Sequence, residues 1–573
     1  MNISTKIKLL CDHIASISAL QDFVNNFIHY QFADQANDIS RPKLYLVGGA
    51  VRDFFFGREL KDYDFVIQGV NKDELDIFLQ TVPGKLMDIE SRNFGVFKLK
   101  LADCDLDFLD IALPRIDIYD EYGRGHKDVQ VQTSANLTID DDLARRDFTI
   151  NAMAVDLINC QLIDPFNGLS DLENKIIKAV GHPHDRLVDE DPTRMLRALR
   201  FAAKYDFQIE AETYDTICQH HSEINKKFVQ QYRTKQGTIK QRTIERVSRD
   251  IIASEFIKGF FHQPHRMIEL LDQTGVYQEI FSPKIVDTWV KMKTTDQPKN
   301  YHAEGSVWNH TMLALRNIDK LSSNQLGLPT GASINLKLAV WLHDFGKVDT
   351  FKIDSTGNYT YYNHPQVSGR LAADFFSAMK VNSMFGADNQ YHVCEKDVIF
   401  VIENHMLPFG PDVEGMKDST IAKYYLQETV PVNQDFEHPQ SHIAYSQRGV
   451  EVLQMAYIDA NSAIKSYGEQ DFTGIKRMIS KIDRVLTRLQ EFSRNQKIYP
   501  VDGHLIKEIL LEIGQQNDDQ KIIQIGQHGG RLIGQLLDYI LEDALNNPAM
   551  YKNQDTVKTQ AALVVSQYLK DNY

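Results

Sequence analysis

Cysteine is scarce in this 573-residue sequence, and long apolar runs are absent from it. The five cysteines are scattered without a CxxC pair, which excludes a cysteine zinc site and predicts a reduced, cytoplasmic protein. No apolar run reaches the roughly 18 residues of a transmembrane helix, so no membrane partner is expected. The first residues also lack the apolar core of a signal peptide. These absences predict an intracellular globular protein. At 573 residues the chain is too long for one compact core.

Positive charge is in deficit as well, because the formal net charge is −15. Taken alone, this balance argues against a nucleic-acid partner. The charge is uneven, however: residues 225–249 carry eight lysines and arginines against one glutamate. We predict a basic helical segment there that binds a phosphate backbone, with a solvated helix face as the alternative.

Short strand patterns are concentrated between residues 43 and 180. The stretches LYLV, DYDFVIQG, FGVFKLKL and LDFLDIALPR are typical of strands with few long helices between them. Beyond Gly181 the helical period prevails. The sequence therefore predicts an α+β protein, with a small mixed β-sheet in an N-terminal head and an all-α body and tail. Residues 1–40 add one or two amphipathic helices, for which we expect a packing role.

The head contains a candidate phosphate and metal site. Gly48 and Gly49 separate strand LYLV from helix AVRDFFFG, where backbone N–H groups can approach an anion. Asp62 and Asp64 alternate in a strand, so both carboxylates leave one face and suit Mg²⁺. Alone, these two patterns are also typical of a tight turn and a solvated strand edge. Asp110, in the neighbouring strand pattern, completes a two-metal site.

Five motifs in this order carry a family resemblance: LVGGAVRD, KDYDFV, DLARRDFTINAMAVD, IDPFNGLSDL and EDPTRMLRALRFAAKY. The chain from about residue 43 to 260 resembles class II CCA-adding tRNA nucleotidyltransferases and the related bacterial poly(A) polymerases. The resemblance implies that Asp62 and Asp64 bind Mg²⁺ and that Asp110 supports them. It implies nucleotide contacts from Gly48, Gly49, Arg52, Arg146, Asp147 and Asn151. Without the motif, the arginines and acid of RRD would be a surface ion-pair cluster.

The motif EDPTR suggests how a base is selected. Asp191 and Arg194 lie one helical turn apart and can face a base together. A carboxylate accepting from an amino group and a guanidinium donating to a ring nitrogen suit both cytosine and adenine. Asp191 as a simple helix cap is the alternative. Arg197 and Arg200 continue the same face, for phosphate contact or for solvent. In the resembling family, a flexible loop corresponding to residues 115–142 reshapes the pocket between C and A addition.

A second group of metal-ligand residues lies within residues 301–470. His343 and Asp344 adjoin in an apolar helix, where a charge is costly unless it is paired or metal-bound. Together with His310 and Asp459 they resemble the H…HD…D set of HD-domain phosphohydrolases. The resemblance implies Mn²⁺, Ni²⁺, Fe²⁺ or Mg²⁺ and a phosphoesterase activity. A second metal would use His364 and His405. A degenerate HD fold kept for RNA binding is the alternative.

These observations predict a CCA-adding enzyme that uses CTP and ATP on tRNA, with a linked HD phosphohydrolase. A poly(A) polymerase and a non-catalytic RNA-binding protein of the same descent are the rival hypotheses, and both a monomer and a homodimer remain open. The predicted division is a helical extension, a nucleotidyltransferase head, a neck and body with the base reader and RNA-binding segment, an HD domain and a tRNA-binding helical tail, at residues 1–42, 43–180, 181–298, 299–468 and 469–573.

Overall fold

The computed structural model describes residues 2–32, 41–87, 95–119, 129–233, 239–381, 384–429, 442–466, 470–492, 499–551 and 553–572. The chain divides into two compact units, residues 1–282 with 379–384 and residues 283–378 with 385–573. The finer five-part division stays a prediction.

The first unit contains the mixed sheet that the strand patterns predict. Its elements are α1 (Ile3–Ser16), α2 (Ser18–His29), β1 (Lys43–Val47), α3 (Gly49–Phe55), β2 (Asp64–Gln68), α4 (Lys72–Thr81), β3 (Gly84–Leu86), β4 (Val96–Leu101), β5 (Leu109–Ala112), β6 (Arg115–Tyr119), β7 (Val129–Thr133), α5 (Ile139–Ala144), β8 (Ala154–Asp156), β9 (Gln161–Ile163), α6 (Gly168–Glu173), β10 (Ile176–Ile177), α7 (Thr193–Tyr205), β11 (Gln208–Ile209), α8 (Ala211–His220), β12 (Lys227–Arg233), β13 (Ile239–Glu245), α9 (Arg249–His262), α10 (Pro264–Thr274) and α11 (Tyr277–Ile280).

Seven strands form the main sheet in the order β3-β4-β5-β2-β1-β8-β9. Only β2 and β5 pair in parallel, and every other neighbouring pair is antiparallel. Strand β1 lies near the middle, and its residues Leu44 to Val47 are buried because both of its edges are paired. The parallel pair matters for the site, because it places Asp64, the first residue of β2, beside Asp110 of β5.

The two N-terminal helices pack on the head, as predicted. Phe23 of α2 lies with its ring 5.3 Å from that of Phe65 in β2, and Phe27 lies 5.8 Å from Phe78 of α4. All four rings are buried, so the helices add a layer of aromatic core behind the sheet.

Two segments differ from the prediction. Residues 227–233 and 239–245 pair as the antiparallel hairpin of β12 and β13, so the helix predicted for residues 225–249 is wrong, while residues 234–238 lie outside the described residues. Aromatic and β-branched residues such as Phe228, Val229 and Ile244 favour a strand, whereas the count of basic residues carries no periodicity. Residues 115–119 and 129–133, predicted as loop, pair as the hairpin of β6 and β7. The segment 120–128 lies outside the described residues.

The second unit is mainly helical, with two small strand pairs. Its elements are α12 (Pro283–Met292), α13 (Val307–Asn317), α14 (Ile334–Leu342), α15 (Lys347–Thr350), β14 (Lys352–Ile353), β15 (Tyr359–Thr360), α16 (His364–Met379), α17 (Glu395–Asn404), α18 (Asp418–Tyr425), β16 (Leu426–Thr429), β17 (His442–Tyr445), α19 (Gln447–Ser462), α20 (Thr473–Phe492), α21 (Gly503–Gln516), α22 (Gln520–His528), α23 (Arg531–Asn546) and α24 (Gln554–Asn572). None of the helices within the described ranges has the length and apolar character of a membrane crossing.

Candidate functional site

The turn between β1 and α3 requires glycine at its first position. Gly48 has φ +66°, a conformation that L side chains rarely adopt. A Cβ at Gly48 would lie 2.6 Å from Nη1 of Arg146 and 3.9 Å from Oδ2 of Asp64. The bare backbone therefore lets a guanidinium and a carboxylate approach the turn together.

The three predicted acidic residues lie at the start of the parallel strand pair, but not in one row. Asp64 is the first residue of β2 and stands directly opposite Asp110 of β5, so the register brings these two together. Asp62 lies before the first residue of β2 and is exposed, so the two acids do not both belong to one strand as the pattern predicted. Burial raises the pKa of Asp64, and the charges of Asp110 and Asp62 raise it further. A cation at this point would relieve the crowding.

Lys98 of β4 supplies one positive charge to this group. Its Nζ lies 2.8 Å from Oδ1 of Asp110, its register partner across the sheet. Both side chains are more than two-fifths exposed, so the pair is open to solvent and to exchange.

A second layer of the site is a network of buried ion pairs around Asp147. Its Oδ2 accepts from Nε and Nη2 of Arg197 at 2.8 and 2.6 Å, and its Oδ1 accepts from Nδ2 of Asn151 at 2.9 Å. Arg52 donates to Oδ1 of Asn151 and lies over the ring of Phe201, 5.4 Å from its centroid. Burial alone would raise the pKa of Asp147, but Arg197 and Asn151 outweigh it and hold the pKa below its usual range.

The motif RRD is anchored by a residue that the sequence did not single out. Asp142 is fully buried and accepts from Nη2 of Arg146 at 2.9 Å and from Nη2 of Arg145 at 2.7 Å. Arg146 also donates from Nη1 to the carbonyl of Asn151 at 3.2 Å. The arginine head groups are thus fixed before any ligand arrives. The only sequence signal for Asp142 is its spacing of three and four residues from the two arginines within one helix turn.

Asp191 and Arg194, the residues predicted to select the base, already form hydrogen bonds with neighbouring residues. Asp191 accepts from the backbone N–H and the hydroxyl of Thr193 at 2.9 and 2.8 Å, which is the capping role weighed as the alternative. Nη1 of Arg194 donates to Glu190 at 2.6 Å, and its Nη2 donates to the hydroxyl of Tyr119 at 3.0 Å. Both predicted side chains are buried and face one cavity.

One cavity of about 620 Å³ joins most of these groups. Asp62, Asp110 and Arg200 do not line it; Nε of Arg200 lies 2.6 Å from Glu255 instead. The predicted residues along its wall are Gly48, Gly49, Arg52, Asp64, Arg146, Asp147, Asn151, Asp191, Arg194 and Arg197. Three further lining residues, Arg115, Asp117 and Tyr119, alternate along β6. These three residues were not predicted, because residues 115–142 were interpreted as a loop. Their alternation with a period of two is nevertheless the pattern of a strand.

The second unit holds the predicted histidine and aspartate residues in one buried cluster. His310, His343, Asp344 and His405 are at most 1% exposed. The side chain of Asp344 bridges two sides of the cluster, with Oδ2 3.1 Å from Nε2 of His343 and Oδ1 3.5 Å from Nε2 of His364. Asp459 lies 2.8 Å from Nε2 of His310. All six predicted residues therefore meet at one place.

Three of these imidazoles are oriented by the backbone. A carbonyl oxygen can only accept, so each Nδ1 that contacts one carries the proton and leaves Nε2 bare in the neutral ring. The contacts, at 2.9, 2.9 and 2.6 Å, join His343 to Val340, His364 to Tyr361 and His405 to Ile402. Burial lowers the pKa of His405 to about 3 and also lowers that of His364, which keeps both rings neutral. Neutral imidazoles with Nδ1–H held by a carbonyl are oriented as metal ligands are.

The cluster fits a metal ion on the evidence of its own unsatisfied atoms. Nε2 of His343 and Oδ1 of Asp344 are buried without a hydrogen-bond partner, whereas Oδ2 of Asp344 is paired with Lys347. Ligand atoms of His310, His343 and Asp459 lie within 4.8 Å of one another, as do those of His343, Asp344 and His405. Buried polar atoms without partners are rare because they are costly, so these residues match a divalent cation of the Mn²⁺ or Ni²⁺ kind.

Three residues around the cluster were not predicted. Oε1 of Glu304 lies 2.8 Å from Nδ1 of His310 and 2.7 Å from Nδ1 of His302, and its own pKa is lowered to about 2 despite burial. Lys347 places Nζ 2.7 Å from Oδ2 of Asp344. Burial alone would lower the pKa of His310, but the hydrogen bonds to Asp459 and Glu304 raise it to about 9. The sequence offered no signal for Glu304 beyond its being six residues before His310.

Comparison with known proteins defines the class and then the family. Residues 44–178 match the family model described as the Poly A polymerase head domain. The chain is 30% identical over 364 residues to a Multifunctional CCA protein of Haemophilus ducreyi, with 62% of this chain and 76% of that protein covered. A Multifunctional CCA protein of Herminiimonas arsenicoxydans is 31% identical over 307 residues, covering 53% of this chain. The chain belongs to the CCA-adding enzyme family, which confirms the resemblance carried by the motifs.

The chain matches only part of the length of its first curated relatives, and it shares its fold with a solved CCA-adding enzyme. The match spans 61% or 62% of the length of the first curated relatives. The crystal structure of Bacillus stearothermophilus CCA-adding enzyme in complex with CTP aligns with a TM-score of 0.54 at 17% identity, over 97% of this chain and 99% of that one. This likeness confirms the α+β head and helical body as a shared fold.

Proposed function

We propose that the first unit adds C, C and A to tRNA 3′ ends from CTP and ATP without a nucleic-acid template. The observation that carries the proposal is the single cavity in which the Gly48 turn, Asp64, the arginine network and the buried Asp191 and Arg194 converge. The names of the relatives, and the CTP bound to a structural neighbour, support the same reaction.

In the proposed reaction, the RNA 3′-hydroxyl attacks the α-phosphorus of the nucleotide. A new P–O bond forms, the bond to the β-phosphate oxygen breaks, and pyrophosphate leaves with the charge. The carboxylates that would hold Mg²⁺ are those of Asp64 and Asp110, together with that of Asp62, which precedes β2. Mg²⁺ held there would lower the pKa of the RNA 3′-hydroxyl, whose proton passes to solvent, and would neutralise charge on the departing pyrophosphate. Arg52, Arg146 and Arg197 sit on the cavity wall, where they can neutralise the triphosphate.

Base choice would come from the buried pair. Cytosine and adenine each offer an amino group for Asp191 and a ring-nitrogen acceptor for Arg194, whereas uracil and guanine reverse both hydrogen bonds. A reversed pair leaves buried polar groups unsatisfied, at about 1–3 kcal/mol each. To engage a base through Nη2, Arg194 must exchange the hydrogen bond that it makes with Tyr119, whereas an Asp191 oxygen that accepts from Thr193 can also accept from a base.

The tRNA itself is proposed to contact the exposed hairpin and the helical tail from residue 469. Lys227, Lys240 and Arg242 are exposed on the hairpin. Two other basic residues of the predicted track are turned inward: Arg246 is buried against Glu223, and Arg249 donates to the carbonyl of Ile280 at 3.0 Å. The phosphate contact therefore rests on fewer residues than the charge count suggested.

The test is the product of the reaction. Incubate tRNA that ends before CCA with CTP and ATP, singly and together, and sequence the ends. Ordered CCA that disappears in Asp64→Asn supports the proposal. Long A runs support a poly(A) polymerase, and absence of extension supports a non-catalytic protein. Ends that stop at CC with both nucleotides present contradict the A step and point to a partner enzyme.

For the second unit we propose a metal-dependent phosphohydrolase, because its cluster contains buried polar atoms without partners. His310, His343, Asp344 and Asp459 would hold one ion. His364 and His405, with Oδ1 of Asp344, would hold another. Bound metal of this kind activates water toward phosphoesters. The substrate class we propose is 2′,3′-cyclic phosphodiesters, 2′-nucleotides and related phosphate esters.

Metal content and activity decide this second proposal. Purified protein should contain a transition metal and hydrolyse 2′,3′-cyclic AMP. The variants His343→Ala and Asp344→Ala should lose both, whereas His528→Ala, an exposed histidine in α22, should lose neither. Equal hydrolysis by the wild type and the two cluster variants would refute the assignment.

A further inference from the structure

A cavity of about 780 Å³ opens above the histidine cluster, and its floor and its wall differ in chemistry. Asp344, His364, His405 and Asp459 reach it from the floor. The wall is aromatic, formed by Tyr301, Tyr359, Tyr361, Tyr362 and Phe409. Binding a phosphate requires only the floor, so the aromatic wall calls for a separate explanation.

Part of the wall has a structural explanation. The hydroxyl of Tyr361 donates to the carbonyl of Asp296, and the ring lies 5.6 Å from Nζ of Lys347. Phe351 contacts the rings of Tyr359 and Tyr361 at 5.2 and 5.7 Å. These rings form a packed cluster that holds the hairpin of β14 and β15 beside the site.

The remaining part is not explained by packing. Tyr362 is 80% exposed and Tyr301 is 62% exposed, yet both line the cavity. Tyr362 stands two residues before His364, so its ring is carried by the same short segment that positions a candidate ligand. Large aromatic side chains exposed together beside a reactive centre are typical of binding surfaces rather than of folding.

We propose that this pocket recognises its substrate through the nucleobase, with Tyr362 as the specificity-determining residue and Tyr301 as a second stacking surface. The proposal rests on the phosphohydrolase function proposed above and narrows it to nucleoside phosphodiesters and RNA 3′ ends, as against phosphodiesters without a base. Every base has a flat π face, so a tyrosine at the rim accepts any of them while the phosphate lies on the polar floor. Stacking of one base is strong enough to change affinity by about tenfold or more.

The experiment compares two substrates that differ only in the base. Full-length protein loaded with Mn²⁺ or Ni²⁺ is assayed on 2′,3′-cyclic AMP and on the 2′,3′-cyclic phosphate of 1-O-methylribose. We expect a KM about tenfold lower for the nucleotide. Tyr362→Ala should remove this difference by raising the nucleotide KM, with kcat and the KM of the baseless ester unchanged. Tyr362→Trp should restore the low nucleotide KM.

The control is Ile353→Ala, an exposed residue of the same hairpin that does not line the cavity and should behave as wild type. Equal KM values for the two substrates in the wild type, or equal changes for both in Tyr362→Ala, would overturn the inference. If neither ester is hydrolysed, the phosphohydrolase proposal fails. Equilibrium binding of 2′-AMP then decides the inference: a Kd about tenfold weaker in Tyr362→Ala supports it, and an unchanged Kd refutes it.

Discussion

The two candidate sites treat buried charge in opposite ways. In the head, the acids Asp142 and Asp147 are paired with arginines at 2.6–2.9 Å. In the second unit, Nε2 of His343 and Oδ1 of Asp344 are buried and have no hydrogen-bond partner, although Nζ of Lys347 lies 2.7 Å from Oδ2 of Asp344. The buried acids of the head wall are thus paired with arginines before a ligand binds, whereas the histidine cluster keeps acceptor atoms without a partner at its centre.

This difference indicates which ligands stay and which leave. A wall of completed ion pairs can release a nucleotide and its Mg²⁺ after each turnover and keep its geometry. A cluster with unsatisfied buried atoms is stabilised by any cation that fills it, since binding only the folded state adds to stability. We therefore expect a resident metal in the second unit and an exchangeable one at Asp64. A substitution at one site should therefore leave the activity of the other site unchanged.

The largest effect is expected at Asp64. Asp64→Asn removes the half-buried charge next to Asp110 and should lower the rate of nucleotide addition by about a thousandfold, because metal stabilisation of the transferring phosphate is worth several kcal/mol. Hydrolysis of 2′,3′-cyclic AMP should be unchanged. Asp107→Asn, an exposed acid near β5, is the matched control and should retain both activities. Loss of hydrolysis in Asp64→Asn would show that the sites do not act separately.

The next effect concerns the buried pair of Asp147 and Arg197. The folded pKa of Asp147 is lowered, so its contribution to stability is present above the unfolded pKa of about 3.9 and is lost as pH falls through the lower folded pKa. Asp147→Asn removes the charge that accepts two hydrogen bonds from the partly exposed Arg197 and should cost about 1.5–3 kcal/mol at pH 7. The difference between wild type and variant should shrink below about pH 4.

The two units allow this loss to be localised. All three tryptophans, Trp289, Trp308 and Trp341, lie in the second unit, so their fluorescence reports that unit while circular dichroism reports both. Asp147→Asn should move a urea transition seen by circular dichroism and leave the tryptophan transition in place. A shift of the tryptophan transition by the same amount would mean that the two units unfold together.

The histidine cluster can be weakened without touching its proposed ligands. Glu304→Gln keeps an acceptor for Nδ1 of His310 but removes the negative charge, and such partners of ligating histidines typically contribute 10- to 100-fold in metal affinity. Titration of the metal-free protein with Mn²⁺ should show a Kd raised by about that factor. Nucleotide addition should not change. An unaltered Kd would exclude Glu304 from orienting His310.

Glu304 is an example of a site residue that could not be predicted from the sequence. The HD residues were found because their chemistry is unusual in an apolar setting, as with His343 and Asp344. A glutamate six residues before His310 is ordinary in sequence, and only the folded chain brings it to that ring. Lys347 is different, because its spacing of three residues from Asp344 is a local signal that the sequence did contain.

In the head, the family and the α+β fold could be predicted, whereas local geometry could not. The motifs were sufficient for the mixed sheet around β1, but the hairpins of β6–β7 and β12–β13 were missed. Charge and loop-like composition masked the period of two in both. The pairing of Asp64 with Asp110 follows from one parallel register that no local pattern specifies. The occupation of Asp191 by Thr193 likewise depends on the backbone around it.

The smallest effect separates backbone strain from crowding at the phosphate turn. Gly48 and Gly57 both have positive φ, at +66° and +78°, so alanine is strained at either position, and ψ of −124° at Gly48 lies outside the left-handed helical region and adds to the strain there. A Cβ would meet Nη1 of Arg146 at Gly48 but would meet nothing within 4 Å at Gly57. Gly48→Ala should therefore raise the KM for CTP by about tenfold, equivalent to about 1.4 kcal/mol, and Gly57→Ala should not.

Thermal unfolding measured alongside makes this comparison decisive. A KM change in Gly48→Ala without one in Gly57→Ala would mean that the turn at Gly48, where Arg146 lies close to bare backbone, serves the nucleotide. Equal KM changes would mean that strain alone disturbs the site. Neither glycine belongs to the second unit, so hydrolysis of 2′,3′-cyclic AMP should stay constant in both variants. A parallel fall in hydrolysis would contradict the contrast between a head whose buried acids are already paired and a cluster that a metal ion would complete.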